Sequence, residues 1–302
     1  MKKTILLLII TLIFSCKDDT KSNGKLNVVT TTTMITDLVK NIGGDSINVQ
    51  GLMGSGVDPH LYKASEGDVS KLVNADIIFY NGLHLEGKLV EVFEKMGSAT
   101  KTPIALADEL DKSTLIGSDY FASNFDPHVW FDIHYFKAFA NKVTAVLSEK
   151  NPENASMFEA NKKHYINELD NLLIKVKSVI EELPKEKRIL VTAHDAFNYF
   201  GKAYDFEVVG LQGLSTATEA GVQDVQKLAA FIIDKKIKAI FVESSVPKRT
   251  IEALQAAVKS KGHDVVIGGT LYSDALGNAG TVEGTYIGMF EYNVNTIVNT
   301  LK

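Results

Sequence analysis

The chain of 302 residues contains one cysteine, one tryptophan and six prolines, and it concentrates no basic charge beyond its first three residues. Each scarcity removes a class of answer. The lone thiol, Cys16, permits neither an intramolecular disulfide nor a thiolate metal cluster, so a metal held here must use imidazole and carboxylate. Lys and Arg total 32 against 37 Asp and Glu, a net charge of −5. That balance excludes the basic face with which a protein neutralises nucleic-acid phosphates. The chain also lacks His-Glu-x-x-His, Gly-x-Ser-x-Gly, Gly-x-Gly-x-x-Gly and the phosphate loop Gly-x4-Gly-Lys-Ser/Thr, which argues against the enzymes built on those motifs. What is present is a folded composition, 45% apolar and 23% charged, long enough for two lobes.

The longest apolar run, Ile5 to Phe14, is interrupted by Thr11 and is too short to cross a hydrocarbon core of about 30 Å as a helix. Preceded by Lys2 and Lys3, it reads as a secretory signal peptide over residues 1–15. The sequence Ile13-Phe14-Ser15-Cys16 resembles the bacterial lipobox, which makes Cys16 the expected lipidation site and accounts for the only cysteine. Residues 16–25, polar through Gly24, then form a lipidated tether. Lys17-Asp18-Asp19 resembles surface-export signals, so periplasmic and outward-facing placements in a bacterial cell envelope both stay open.

From Leu26 short β-rich runs alternate with amphipathic stretches: Leu26 to Thr31, Ile35 to Ile42, Ile47 to Leu52, Val69 to Val73 and Asp76 to Tyr80. Such alternation predicts a doubly wound, mostly parallel sheet. The pattern restarts after Lys185, with strands at Arg188–Thr192, Phe206–Val209, Ala239–Val242 and Asp264–Ile267. Helices are predicted from Asp195, over Val222–Ile233 and Arg249–Lys261, and from Val282 to Leu301. Between the halves, Pro152 to Leu183 carries an apolar stripe at Phe158, Tyr165, Leu169, Leu172, Val176, Val179 and Leu183, the 3 or 4 spacing of one long helix. The expected organisation is an α/β fold: an N-terminal lobe over 26–150, a rigid linking helix over 151–184 and a C-terminal lobe over 185–302.

Seven histidines are distributed along the chain. His164 lies mid-helix and His263 in a Lys-Gly-His-Asp turn, where solvated surface roles are expected. His134 opens a helix, where capping or packing is its expected job, and His84 follows a strand near a cleft rim without pointing to a chemistry. His60 and His128 each end an Asp-Pro-His tripeptide. Proline stiffens the backbone, and the preceding Asp58 or Asp126 is placed to accept the second ring N–H, the outer partner that metal-binding imidazoles use. His194 stands at the carboxyl end of a predicted strand, where open α/β sheets bind ligands.

Seven segments, in order and spacing, resemble the zinc and manganese solute-binding lipoproteins of ABC transporters, the ZnuA/TroA family (metal-binding cluster A-I). They begin at Thr30–Met34 and include Gly56–His60, Asp126–Trp130, Val191–Phe197, Ser215–Ala220, Phe241–Ser245 and Leu271–Gly277. The resemblance covers residues 26–302. It implies one metal held between the lobes by His60, His128, His194 and Asp274, which lie 68, 66 and 80 residues apart in chain order. It also implies delivery to a membrane permease with its ATPase, by a monomer. Three imidazoles and one carboxylate favour Zn²⁺ over Mn²⁺ by the Irving–Williams order. Manganese-preferring relatives typically carry Glu where His194 stands. Ala107 to Asn124 lacks the histidine-rich loop of dedicated zinc members, which keeps the TroA-like mixed type in view. Glu219 and Glu243 sit at family-like positions as outer partners or lobe contacts, or simply as helix-start and strand-end charges. The stiff strut implies only a small lobe tilt on binding, with release by displacing His194 and Asp274.

Three rivals are weighed. A zinc hydrolase needs an open coordination position and a base beside it, and no motif supplies them. A siderophore- or haem-binding protein shares the two lobes but needs no convergent histidines. A cell-adhesion role has only the lipid anchor in its favour.

Overall fold

Two valines begin the core: Val28 and Val29 point to opposite faces of one strand, and both are buried, so the sheet they belong to is covered on both sides. The computed structural model describes residues 24–97, 102–119 and 121–302. The expected signal peptide, Cys16 and the tether through residue 23 lie outside them. In the first half, β1 (Leu26–Thr30) is flanked by β2 (Ile47–Gly51) and β3 (Ile77–Tyr80), and β4 (Ile104–Ala105) completes a parallel sheet of order β2-β1-β3-β4. Helices α1 (Thr33–Gly43) and α4 (Ile133–Lys150) bury their apolar faces with Val28, Ile77 and Phe79. Helices α2 (Glu66–Asn74) and α3 (Val90–Gly97) belong to the other face, where Val29, Ile78, Leu72, Leu89 and Phe93 pack. The starts of these helices are written locally. Thr32 caps α1, and Ser65 with Asp68 forms a capping box on α2.

The long helix α5 (Ala155–Glu181) follows a 3-10 turn at Pro152–Asn154, so proline falls in the first turn as expected. Its 27 residues span about 40 Å. One detail of the stripe differs: Ile180 is buried and Val179 only partly, because the 3.6-residue period carries the face from Val176 to the fourth residue on. In the second half, β5 (Ile189–His194) pairs in parallel with β6 (Glu207–Gln212), and β7 (Ala239–Glu243) with β8 (Val266–Leu271). Strands β5 and β7 lie side by side, so the spatial order β6-β5-β7-β8 matches that of the first sheet.

Several boundaries depart from the sequence reading, and four of them have a visible reason. Helix α6 (Asn198–Tyr204) begins three residues later than Asp195, whose carboxylate is taken by the Gly210 N–H at 2.7 Å. Strands β6 and β8 continue through Gly210 and Gly268, where a sequence reader stops. A Cβ at Gly268 would lie 2.4 Å from Thr300 Cγ2, so the glycine is what lets the last helix approach the strand. That helix, α9 (Tyr286–Leu301), starts after a separate 3-10 turn at Val282–Gly284, because Thr285 accepts from the Gly288 N–H and caps a fresh N-terminus. Helices α7 (Val222–Asp234) and α8 (Arg249–Ser260) sit where expected and enclose a second core with Val191, Ile240 and Val242.

The largest core runs through both halves. Leu169, Leu172 and Val176 of α5 belong to one apolar cluster with Val39 and Phe136 of the first half and with Phe197, Phe241 and Phe290 of the second. Phe136 and Tyr286 stack across the halves at 3.8 Å. Because this seam is shared, truncating it should weaken both halves together. Leu169→Ala is expected to cost about 2 to 5 kcal/mol and to lower a single cooperative urea transition; two separated transitions would show the halves to be energetically independent.

Candidate metal centre

The carboxyl ends of both sheets face one another, and the loops that leave them carry the chemistry. The loop after β2 reaches Asp58-Pro59-His60. Asp58 Oδ1 accepts from the His60 N–H at 2.8 Å, and the same device recurs at Asp126 Oδ1 and the His128 N–H, 2.9 Å. These aspartate turns, stiffened by the intervening proline, fix each imidazole's base. His194 is the last residue of β5, and Asp274 lies in the loop beyond β8.

The four residues meet. His60 Nε2 and His128 Nε2 are 3.3 Å apart. Asp274 Oδ2 lies 3.2 Å from His194 Nε2 and 3.7 Å from His60 Nε2, and its Oδ1 lies 3.6 Å from His128 Nε2. One donor atom from each fits within 4.8 Å of every other. His128 and His194 are fully buried, with Asp274 at 1% and His60 at 4% exposure. Both Asp274 oxygens are buried, and among the described residues the groups that meet them are the three imidazole Nε2 atoms. A carboxylate so placed is costly unless a cation completes it, and three ring nitrogens converging on it supply the remaining donors.

The groups behind the rings differ from one imidazole to the next. His128 Nδ1 rests 2.7 Å from Asp126 Oδ1, as expected. His194 is held twice by Glu243 at the end of β7: its backbone N–H donates to Oε1 at 2.8 Å, and Nδ1 lies 2.6 Å from Oε2. Glu243 is therefore an outer partner. Asp58 departs from expectation. Its second oxygen accepts from the Thr216 hydroxyl at 2.5 Å instead of engaging the His60 ring. Among the described residues, no carboxylate backs the His60 Nδ1.

Electrostatics divide the imidazoles. Burial pushes the His60 pKa down to about 3, with His128 and His194 adding to the effect against Asp274. At His194 burial acts the same way, but Glu243 on one nitrogen and Asp274 on the other outweigh it and raise the pKa well above the ordinary histidine range. Burial disfavours the Asp274 anion too, yet the rings of His194, His128 and His60 hold it below the usual carboxylate range. In the metal-free site the proton therefore belongs on His194.

The other predicted residues disperse. Glu219 is exposed and pairs with Arg249 at 2.6 Å, a surface ion pair outside the four-residue cluster. His84 is exposed in a left-handed conformation at φ 62°, its ring edge against Phe121. His164 stays on the surface near Glu168, and His134 is exposed while Asp132 does the capping. His263 is a correction: it is half-buried, its Nε2 3.0 Å from the Ile237 carbonyl, tying the end of α8 to the approach to β7. Sequence reasoning missed Asn198, whose amide donates to Asp126 Oδ2 at 3.0 Å, and the Trp130 indole, which donates to the Ser273 carbonyl at 3.1 Å. No sequence pattern pointed to Asn198, because its partner Asp126 lies 72 residues away in the chain.

The architecture and this buried cluster define a two-lobed solute-binding protein that carries a metal ion. The chain matches the family model ZnuA, described as the periplasmic component A of the zinc-uptake complex, over residues 28–300, and it belongs to that family. The manganese-binding lipoprotein MntA of Bacillus subtilis (strain 168) is 49% identical over 278 residues, covering 92% of this chain and 90% of MntA. The zinc-binding protein TroA of Treponema pallidum (strain Nichols) is 49% identical over 283 residues, covering 94% and 91%. The solved structure of the periplasmic zinc-binding TroA from Treponema pallidum matches with a TM-score of 0.89 at 49% identity, covering 92% of this chain and 99% of that one.

Two outcomes follow from the electrostatics. Because the His194 pKa is raised in the metal-free fold, its Nε2 proton must leave before an ion can take that nitrogen. Binding at neutral pH should then release about one proton per ion, and affinity should rise about tenfold per pH unit below that raised pKa. Calorimetry in buffers of different ionisation enthalpy measures the count, and release of none would contradict the assignment. Glu243→Gln keeps the shape but removes the charge behind His194, and should weaken metal affinity about 10- to 100-fold in chelator competition.

Proposed function

We propose that this protein captures a divalent transition metal outside the cytoplasm, zinc first and manganese second, and delivers it to the permease and ATPase of an ABC importer. The observation that carries the reading is the buried Asp274 carboxylate, on whose two oxygens the Nε2 atoms of three imidazoles converge. His60, His128, His194 and Asp274 are the ligands in this reading, two from each lobe, so the site is complete only with both lobes folded and apposed. The proposed units are residues 26–150, 151–184 and 185–302, supported by each sheet drawing its strands from one range.

The metal preference comes from the donor set. MntA and TroA are equally similar to this chain at 49% identity and are named for different metals, so similarity does not choose between them. Three nitrogens and one carboxylate bind Zn²⁺ ahead of Mn²⁺. Hydrolysis is not proposed. A catalytic zinc keeps an open position and a base beside it, whereas Asp126 and Glu243 are both engaged with ring nitrogens. The remaining parts of the proposal rest on sequence: a signal peptide over 1–15, lipid attachment at Cys16 to the membrane, and a monomeric carrier.

Protein purified without added metal should contain one ion per chain by elemental analysis, and zinc should displace manganese in competition. Ala at His60, His128, His194 or Asp274 should reduce affinity by more than the about 10- to 100-fold expected for an outer partner. His164→Ala should leave it unchanged, since that ring is on the surface. Unaltered zinc affinity in His194→Ala would overturn the ligand set.

A further inference from the structure

The four groups of the cluster are not equally anchored. His194 is part of β5 and is gripped at two nitrogens by Glu243. The His128 turn is held by Asp126, by Asn198 on the other Asp126 oxygen, by Tyr199 donating to the Asp126 carbonyl at 3.0 Å, and by Asn81 donating to the Pro127 carbonyl at 3.0 Å. Asp274 follows Ser273, whose carbonyl receives the Trp130 indole. These three are the fixed part of the site.

His60 is built differently. Its turn is bordered by exposed residues, Gly54 to Gly56 on one side and Leu61 at 47% exposure on the other. Its ring lacks the carboxylate that steadies His128 and His194. What ties this turn across the cleft is the Thr216 hydroxyl on Asp58 Oδ2, while Asp58 Oδ1 holds the His60 backbone. Thr216 sits in the 213–221 loop between β6 and α7 and is itself 8% exposed.

We infer that Thr216 is a positioning residue for metal retention: by holding Asp58 it keeps His60 in the closed site, and its release is what lets the ion leave. The inference rests on His60 being a ligand. It reverses the order of release suggested by the sequence, because His194 and Asp274 belong to the rigid part and His60 is the arm that moves. The hydroxyl acts only in the closed state, so its loss should raise the dissociation rate and spare the association rate. A hydrogen bond to a carboxylate in a part-buried setting corresponds to about a tenfold effect.

Stopped-flow release of Zn²⁺ from the zinc-loaded protein into excess chromophoric chelator tests this directly. Thr216→Val should accelerate release about tenfold, with one zinc still bound per chain and an unchanged association rate. Thr216→Ser, which restores the hydroxyl, should return the wild-type rate. Asn198→Ala, which removes a partner of the well-anchored His128 turn, should accelerate release less. Wild-type release from Thr216→Val at full zinc content would overturn the inference and leave the ligand set standing. Equal acceleration by Asn198→Ala would overturn it as well, since the effect would then be general loosening of the cleft. A wild-type chain that holds neither zinc nor manganese would overturn both readings.

Discussion

The apolar seam along α5 is the constraint on which the rest depends. Both sheets send their carboxyl ends toward a common cleft, and the distance across that cleft is set by side chains that the two halves bury together. Close-packed interiors transmit displacement and resist it, so the seam keeps four side chains from distant parts of the chain within a few ångströms of one another. Rotation about a pair of crossing strands would not have this stiffness. Movement is left to the loops, which are individually tethered, and this makes the tethers the determinants of how the site opens.

Within the cleft the charges are arranged for exchange. With His194 as a ligand, a proton and a divalent ion would compete for its Nε2 electron pair, with Glu243 and Asp274 favouring positive charge whichever arrives. His60 is kept neutral by burial, its Nε2 beside that of His128. A proton on His194 thus stands in part for the positive charge that an ion would bring.

Much of this was legible in the sequence. The alternation of strands and helices, the long helix and the repeated Asp-Pro-His depend on local patterns, which survive in one dimension. The misreadings share one cause, contacts between residues far apart. Gly210 and Gly268 look like strand breakers until Asp195 and Thr300 are seen pressed against them. Asp58 looks like a twin of Asp126 until Thr216 arrives from the other half. Glu219 and Glu243 are indistinguishable as letters, yet one faces solvent beside Arg249 and the other backs an imidazole. His263, assigned to the surface by its polar turn, finds a carbonyl in the next connection.

The near-complete burial of the four converging groups has a consequence for what the protein ignores. Calcium takes six to eight oxygen ligands and magnesium retains several waters in an octahedron. A buried enclosure with one carboxylate and three nitrogens offers neither the oxygen count nor the room for a hydration shell. With these four groups as the ligands, alkaline-earth ions would be disfavoured by coordination number, and the enclosure would select ions willing to be four-coordinate and to shed their water.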